Sequence, residues 1–442
     1  MKNGKFLLIG FASAATVLSL AFSSSLFAKT ESDQPTVEAS RLQSLAKFTK
    51  VLSIVEKYNV DELTIEELMD KSLQGLMTNL DAHSSYLNAK NFEKMQVQTK
   101  GEFGGLGITV GMKDGALTVI APIEGTPADK AGLKSGDIIL KIDDKSTLSM
   151  TIDDAVNIMR GEPGTPIDLT IVRKGENKPI VIHIIRDIIK IQSVYAKKVG
   201  DNILYIRVTS FDQKVVKDVK NAIKEHKTDS KGLILDLRNN PGGLLDQAVG
   251  LVDLFVDEGN IVSQKGRDSR ENRDYDANDD NTVTDMPLVV LVNAGSASAS
   301  EIVSGALQDH KRAVIVGEKT FGKGSVQVIL PITDTEAIKL TIARYYLPSG
   351  RTIQAVGVTP DIEVQQGKVP VHEDEFTIKE ADLKKHLEIE LKKVDGDENL
   401  SKTGDLSQED NKSIITEEYL NKDCQLKESV DIMKALIIMK EK

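Results

Sequence analysis

Asn293-Ala294-Gly295-Ser296-Ala297-Ser298-Ala299-Ser300-Glu301-Ile302 joins two textures of sequence. Before it runs an apolar strand, 288–293. After it, Ala299, Ile302, Val303, Ala306 and Leu307 fall at i, i+3, i+4, i+7 and i+8, one apolar face of a helix. A strand that turns through small residues straight into a helix is the unit of an α/β core. Small residues let backbones approach closely, and free amides at a helix start stabilise negative charge. A hydroxyl placed there can act as a nucleophile beside an oxyanion site. Ser298 or Ser300 can equally be a plain helix cap.

The surrounding chain repeats the alternation. Strands are expected at 203–208, 232–237, 288–293, 313–316, 326–330 and 338–343, and helices at 215–223, 244–255 and 298–308. The sheet they form is partly parallel, hence mixed. Two further stretches bear on chemistry. Thr320-Phe321-Gly322-Lys323-Gly324-Ser325-Val326-Gln327 sets one lysine between glycines ahead of a strand. Such a lysine is either an exposed turn residue or, if burial lowers its pKa, a general base. Asp236-Leu237-Arg238-Asn239-Asn240-Pro241-Gly242-Gly243-Leu244 closes a strand and opens a helix. Its glycines make an ordinary turn or aim an amide at a developing oxyanion. None of the six histidines (His83, His183, His226, His310, His372 and His386) stands in a triad context.

Upstream, residues 30–100 have helical periodicity. Leu42, Leu45, Phe48, Val51, Leu52 and Val55 step by three and four, and Thr64 with Glu67 reads as a capping box. From Gly101 short strands take over: 104–110 and 117–120 about Lys113-Asp114-Gly115, then 138–142, 167–172 and 180–185, with a helix over 152–159. Downstream, residues 373–412 carry 13 acidic and 7 basic residues, a charged linker, and one amphipathic helix is expected over 417–440. The predicted architecture is therefore α/β and α+β multidomain: a helical segment at 29–100, a β-rich domain at 101–188, an α/β core at 189–365, and a linker with a C-terminal helix at 366–442.

Composition sets limits on partners. The chain has 442 residues, net charge −11, 19 aromatics without tryptophan, and one cysteine, Cys424. The acidic balance disfavours nucleic acid, and a lone cysteine excludes an intrachain disulfide and a multi-cysteine zinc site. Residues 1–28 read as a targeting segment: Lys2 and Lys5, an apolar run over 6–22, then Ser23-Ser24-Ser25 and a small Ala28. It is either cleaved or kept as an anchor, and both readings export the rest of the chain. Two near misses are refused. Gly317 to Gly324 lacks the Ser or Thr that a phosphate-binding P-loop needs after its lysine. Asp274-Tyr275-Asp276-Ala277-Asn278 begins like a calcium loop, but Asp279 stands where glycine is required. No metal and no cofactor are implied.

The three motifs at 236–243, 295–301 and 321–327, in this order, resemble those of the C-terminal processing peptidases, also called tail-specific proteases. The likeness runs from about residue 40 to 365. It implies a serine endopeptidase with Ser298 as nucleophile, Lys323 as general base and Gln327 positioning the lysine. The oxyanion donors it implies are the amides of Ala299 and of Gly242 or Gly243. Residues from 101 resemble a PDZ module, with Gly104-Gly105-Leu106-Gly107 as the loop that grips a chain terminus while the peptide adds as a strand. Arg160 then sits where the family couples PDZ to active site, or is a surface arginine before a turn. The implied partners are protein tails with free C-termini, with an adaptor protein and a second copy of the chain as further candidates. Membrane contact is expected through residues 6–22 alone, in the periplasm or cell envelope. The alternatives are a non-catalytic PDZ scaffold that binds tails without cutting them, and a histidine-dependent protease.

Overall fold

The structure is a computed structural model and describes residues 37–113, 115–369 and 414–441. The targeting segment at 1–28 and most of the charged linker lie outside the described residues. The chain divides into two units, residues 1–72 and 73–442. In the first, Val37–Tyr58 is helical. Most of its apolar stripe, including Leu42, Leu45, Phe48 and Val51, is exposed rather than packed. The capping box forms as the spacing predicts: Thr64 N–H donates to Glu67 Oε2 (2.8 Å), and Glu67 N–H to Thr64 Oγ1 (3.2 Å). Among the described residues no helix is long and apolar enough to cross a membrane.

The second unit is built on a seven-stranded mixed sheet. Its order is Ile362–Glu363, Val314–Gly317, Leu288–Val292, Gly232–Asp236, Ile203–Val208, Val194–Val199, Ile414–Ile415. All neighbours run parallel except Val194–Val199 against Ile203–Val208. Every residue of Gly232–Asp236 and Leu288–Val292 is buried, as central parallel strands covered on both faces require. Helices Val215–His226, Leu245–Asp253 and Ala299–Asp309 cover one face. The other face packs under the end of the chain. There the single C-terminal helix expected from periodicity is two, Glu417–Asn421 and Cys424–Lys440. Asp423 breaks the run because its side chain caps the second helix, accepting from Leu426 N–H at 3.1 Å.

A second sheet joins Ser85–Leu87, Ala337–Tyr346, Asn260–Gly266 and Arg273–Asp276, with Ser325–Pro331 also paired to Ala337–Tyr346. The segment that began like a calcium loop is thus an edge strand. The loop carrying Lys323 crosses from Val314–Gly317 of the main sheet to Ser325–Pro331 of this one.

Residues 108–185 form a six-stranded sheet ordered Ile108–Lys113, Ala116–Pro122, Ile138–Ile142, Pro166–Val172, Ile180–Ile185, with Lys145–Ser146 on Ile138–Ile142. Helix Ile152–Met159 closes a core that includes Leu117, Val119, Ile142 and Leu169. The strand expected over 104–110 is interrupted. Glu102–Gly105 pairs antiparallel with Asp187–Lys190, and Gly107 at φ 78° turns the chain into Ile108–Lys113. Only glycine adopts that conformation freely, and a Cβ there would fall 2.3 Å from Thr126.

Candidate active site

The run 293–301 is tied to the loop after Gly232–Asp236 through Asn293, Ser296, Ala297 and Ser300. Asn293 Oδ1 accepts from Asn239 N–H (2.9 Å) and Gly295 N–H (3.0 Å). Ser296 Oγ donates to Leu237 O (2.8 Å), and Ser300 Oγ to Asn240 O (2.9 Å). Ala297 N–H donates to Asn240 O (3.0 Å). Ser296 and Ser300 are fully buried, so the outer two serines spend their hydroxyls holding two loops together. Ser298 stands between them in a backbone of φ 55°, ψ −111°. A non-glycine residue held there costs on the order of 1–3 kcal/mol, and such strain gathers at functional sites.

Glu301, three residues on, is fully buried and accepts four hydrogen bonds. Oε2 takes Ser298 N–H (2.8 Å) and Lys323 N–H (2.8 Å). Oε1 takes Gly322 N–H (2.7 Å) and Thr320 Oγ1 (2.5 Å). One carboxylate oxygen therefore joins the backbones of Ser298 and Lys323. A buried charge is tolerated only with its lone pairs satisfied in this way. Sequence reasoning missed Glu301, although Ser298-x-x-Glu301 is a capping-box spacing that points to it.

Lys323 is half-buried. Burial holds its ammonium below the usual lysine value. The positive charge of Lys339 adds to this, and Glu301 opposes it. Gln327 Nε2 donates to Ser325 Oγ (2.8 Å) and Thr341 Oγ1 (3.3 Å). Thr341 Oγ1 in turn donates to Asp81 (3.3 Å), whose carboxylate also takes Ser84 Oγ (2.6 Å) and the amides of His83 and Ser84. His83 is held below the ordinary histidine value by burial first and by Lys323 second. It lies in the electrostatic reach of the lysine, which its sequence context did not reveal.

The glycines at 242 and 243 differ. Gly242 backs onto Ser298: a Cβ there would meet Ala297 O at 2.8 Å and Ser298 Cβ at 2.9 Å. Its N–H is already donated to Asn240 Oδ1 (2.9 Å). Behind this loop Asp236, buried, accepts Tyr205 Oη (2.7 Å) and Arg238 Nη2 (2.6 Å). Arg238 reaches on to both carboxylate oxygens of Asp423 (2.8 and 2.8 Å).

On the β-rich unit, Gly104 and Gly105 lie in the ribbon with Asp187–Lys190, and Leu106 is buried. Strand Ile108–Lys113 ends its sheet, with no strand on its outer edge among the described residues. Arg160 caps the end of Ile152–Met159. Its guanidinium lies 4.9 Å over the Phe103 ring and 4.0 Å from Glu93, and its Nε is buried without a partner among the described residues.

The model of peptidase family S41 matches residues 202–364, and that of the PDZ domain residues 118–173. The carboxy-terminal-processing protease of Bartonella bacilliformis is 44% identical over 83% of this chain and 85% of its own. Carboxy-terminal processing protease CtpA of Bacillus subtilis is 34% identical over 78% of this chain and 76% of its own. Among solved structures, a photosystem II D1 C-terminal processing protease is 28% identical, covering 72% of this chain and 92% of its own at a TM-score of 0.41. The chain belongs to the carboxy-terminal processing proteases of peptidase family S41, serine-type peptidases with a PDZ domain.

Proposed function

We propose that the chain is an exported endopeptidase that reads free C-terminal tails with its PDZ unit and cuts them with a Ser298–Lys323 dyad. The observation that carries this reading is the Glu301 carboxylate, whose one oxygen accepts the amides of both residues. The spent hydroxyls of Ser296 and Ser300 add to it, as does the burial that favours a neutral lysine.

Neutral Lys323 Nζ takes the proton of Ser298 Oγ as Oγ attacks the scissile carbonyl. The oxyanion is held by the amide of Ala299 and, of the two glycines, by Gly243, since Gly242 already donates elsewhere. Collapse expels the amine, which takes its proton from Lys323. A water then gives a proton to Lys323 and attacks the acyl-enzyme, collapse returns that proton from Lys323 to Ser298 Oγ, and the new carboxylic acid gives its own proton to solvent and leaves as a carboxylate. Gln327 fixes the strand that follows the base.

The peptide adds to the free edge of Ile108–Lys113 with its carboxylate at the Gly104–Gly107 loop. Arg160 relays occupancy through Phe103. The working domain bounds are 29–100, 101–188, 189–365 and 366–442. Residues 1–28 direct export to the periplasm or cell envelope, cleaved or held at 6–22.

The test is cleavage of a peptide with an apolar free C-terminus by Ser298→Ala and Lys323→Ala proteins. Each is expected to lose at least about 10³-fold in kcat. Unchanged turnover in either folded variant would sink the dyad.

A further inference from the structure

The face of the main sheet opposite helix Ala299–Asp309 holds a cavity of about 390 Å³. Strands Val194–Val199 and Ile203–Val208 form one wall, and the chain from Ile414 to Tyr419 the other. Lys197 and Arg207 line it together with Tyr195, Tyr205, Tyr419 and Ile415, and among the described residues no acidic side chain does. Among the described residues, Arg207 Nε is buried with no hydrogen-bond partner. The acids at hand are already taken: Asp236 by Tyr205 and Arg238, and Asp423 by a two-pronged contact with Arg238.

A buried guanidinium nitrogen left unpaired costs free energy that a bound group can recover. A carboxylate matches its fork, and a neighbouring lysine adds charge. The rest of the lining is phenol and aliphatic, and the volume is at the small end of ligand sites, suited to one amino-acid residue. Ile414–Ile415 pairs with Lys198 and Val199 and leaves Val194 to Lys197 without a partner strand on that side among the described residues.

We propose that this cavity is a second carboxylate-binding site, separate from the PDZ unit, which takes the free C-terminal residue of a peptide or an acidic side chain of an extended segment. Its wall reaches the proposed oxyanion loop in two steps, Tyr205 to Asp236 and Asp236 to Arg238, so occupancy bears on that loop. Two sources supply the group: the terminus of another polypeptide, released product included, or the acidic stretch at 373–412 of this chain.

The site stands on the sheet and the C-terminal segment, independent of the dyad, so it is tested in full-length Ser298→Ala protein, where no turnover is needed. The probe is N-acetyl-photoleucine with a free carboxylate, against its amide, cross-linked and mapped by peptide mass spectrometry. Adducts are expected within 194–209 or 414–420 for the carboxylate and not the amide. They should fall at least about tenfold in Arg207→Gln, the loss of one charge-assisted hydrogen bond, and also fall in the more exposed variant Lys197→Gln. Adducts on the PDZ unit should persist in both. No adduct at these segments, equal labelling by the amide, or labelling untouched in both variants overturns the proposal. Deleting 373–412 separates the sources. Stronger labelling assigns the resting occupant to that stretch, and unchanged labelling assigns it to an external terminus.

Discussion

The two faces of the main sheet are covered by different means. On one, Val215–His226 and Ala299–Asp309 each connect neighbouring strands, Leu245–Asp253 leads from Gly232–Asp236 to Asn260–Gly266 of the second sheet, and Ile302, Val303 and Leu307 are fully buried there. On the other, Tyr205, Ile234 and Leu291 lie under Leu426, Val430 and Met433 of a helix that arrives at the end of the chain. The first face carries Ser298 and the Glu301 carboxylate. The second carries Arg238 and its contact with Asp423. The same loop, Leu237 to Gly243, is thus held by bonds across 54 to 60 positions from one side and by a pairing across 185 positions from the other.

The sharpest way to break this picture is Glu301→Ala. It removes an acceptor for four donors, and with proposed nucleophile and base displaced by about 1 Å, turnover should fall by about 10² or more. A folded variant within tenfold of wild-type kcat would show that the first face does not set the site. Next come matched truncations, Leu307→Ala on one face and Leu426→Ala on the other. Each should cost about 2–5 kcal/mol, read from denaturant melts. One shared transition means one core, and an early separate transition in Leu426→Ala means that the second face opens as its own unit.

Smaller is Asp423→Asn, expected to cost about 1–3 kcal/mol and to lower kcat without moving the pH profile. A shifted profile would tie this pair to the base rather than to the loop. The smallest effect is in Lys339→Gln. Lys339 pushes the Lys323 ammonium down. A base works when deprotonated, so activity should rise with pH through the Lys323 pKa. Removing Lys339 lets that pKa climb, and the rising limb should move to higher pH by less than about one unit. A shift to lower pH contradicts the assignment of Lys323.

What was legible follows from range. Buried strands such as Leu288–Val292 and the helix after them announce themselves by composition and period, and the motif serines, lysine and glycines lie in the turns between. Ser85–Leu87 has three residues, Val194–Val199 contains two lysines, and Glu102–Gly105 ends in two glycines. Their strand character comes from register with distant partners, which local propensity does not encode. Asp423 reads locally as part of an amphipathic helix, and its ion pair exists only once the sheet is covered. Glu301 was within reach, since its spacing from Ser298 is a capping signal, but four hydrogen bonds on one carboxylate are a property of the folded loop.

Lys323 sits on the passage from one sheet to the other, while Ser298 hangs from the first sheet alone. The gap between the two side chains is therefore measured across a joint, with the Glu301 carboxylate as its pin. Any slip of Ala337–Tyr346 and its partners against the main sheet would be read directly as a change in the gap between the proposed nucleophile and base. Ser85–Leu87, paired to that strand, leads within two residues to helix Ala89–Lys100 and then to Phe103 under Arg160. The joint between Ser298 and Lys323 and the helix that leads to Phe103 are thus parts of one run of contacts.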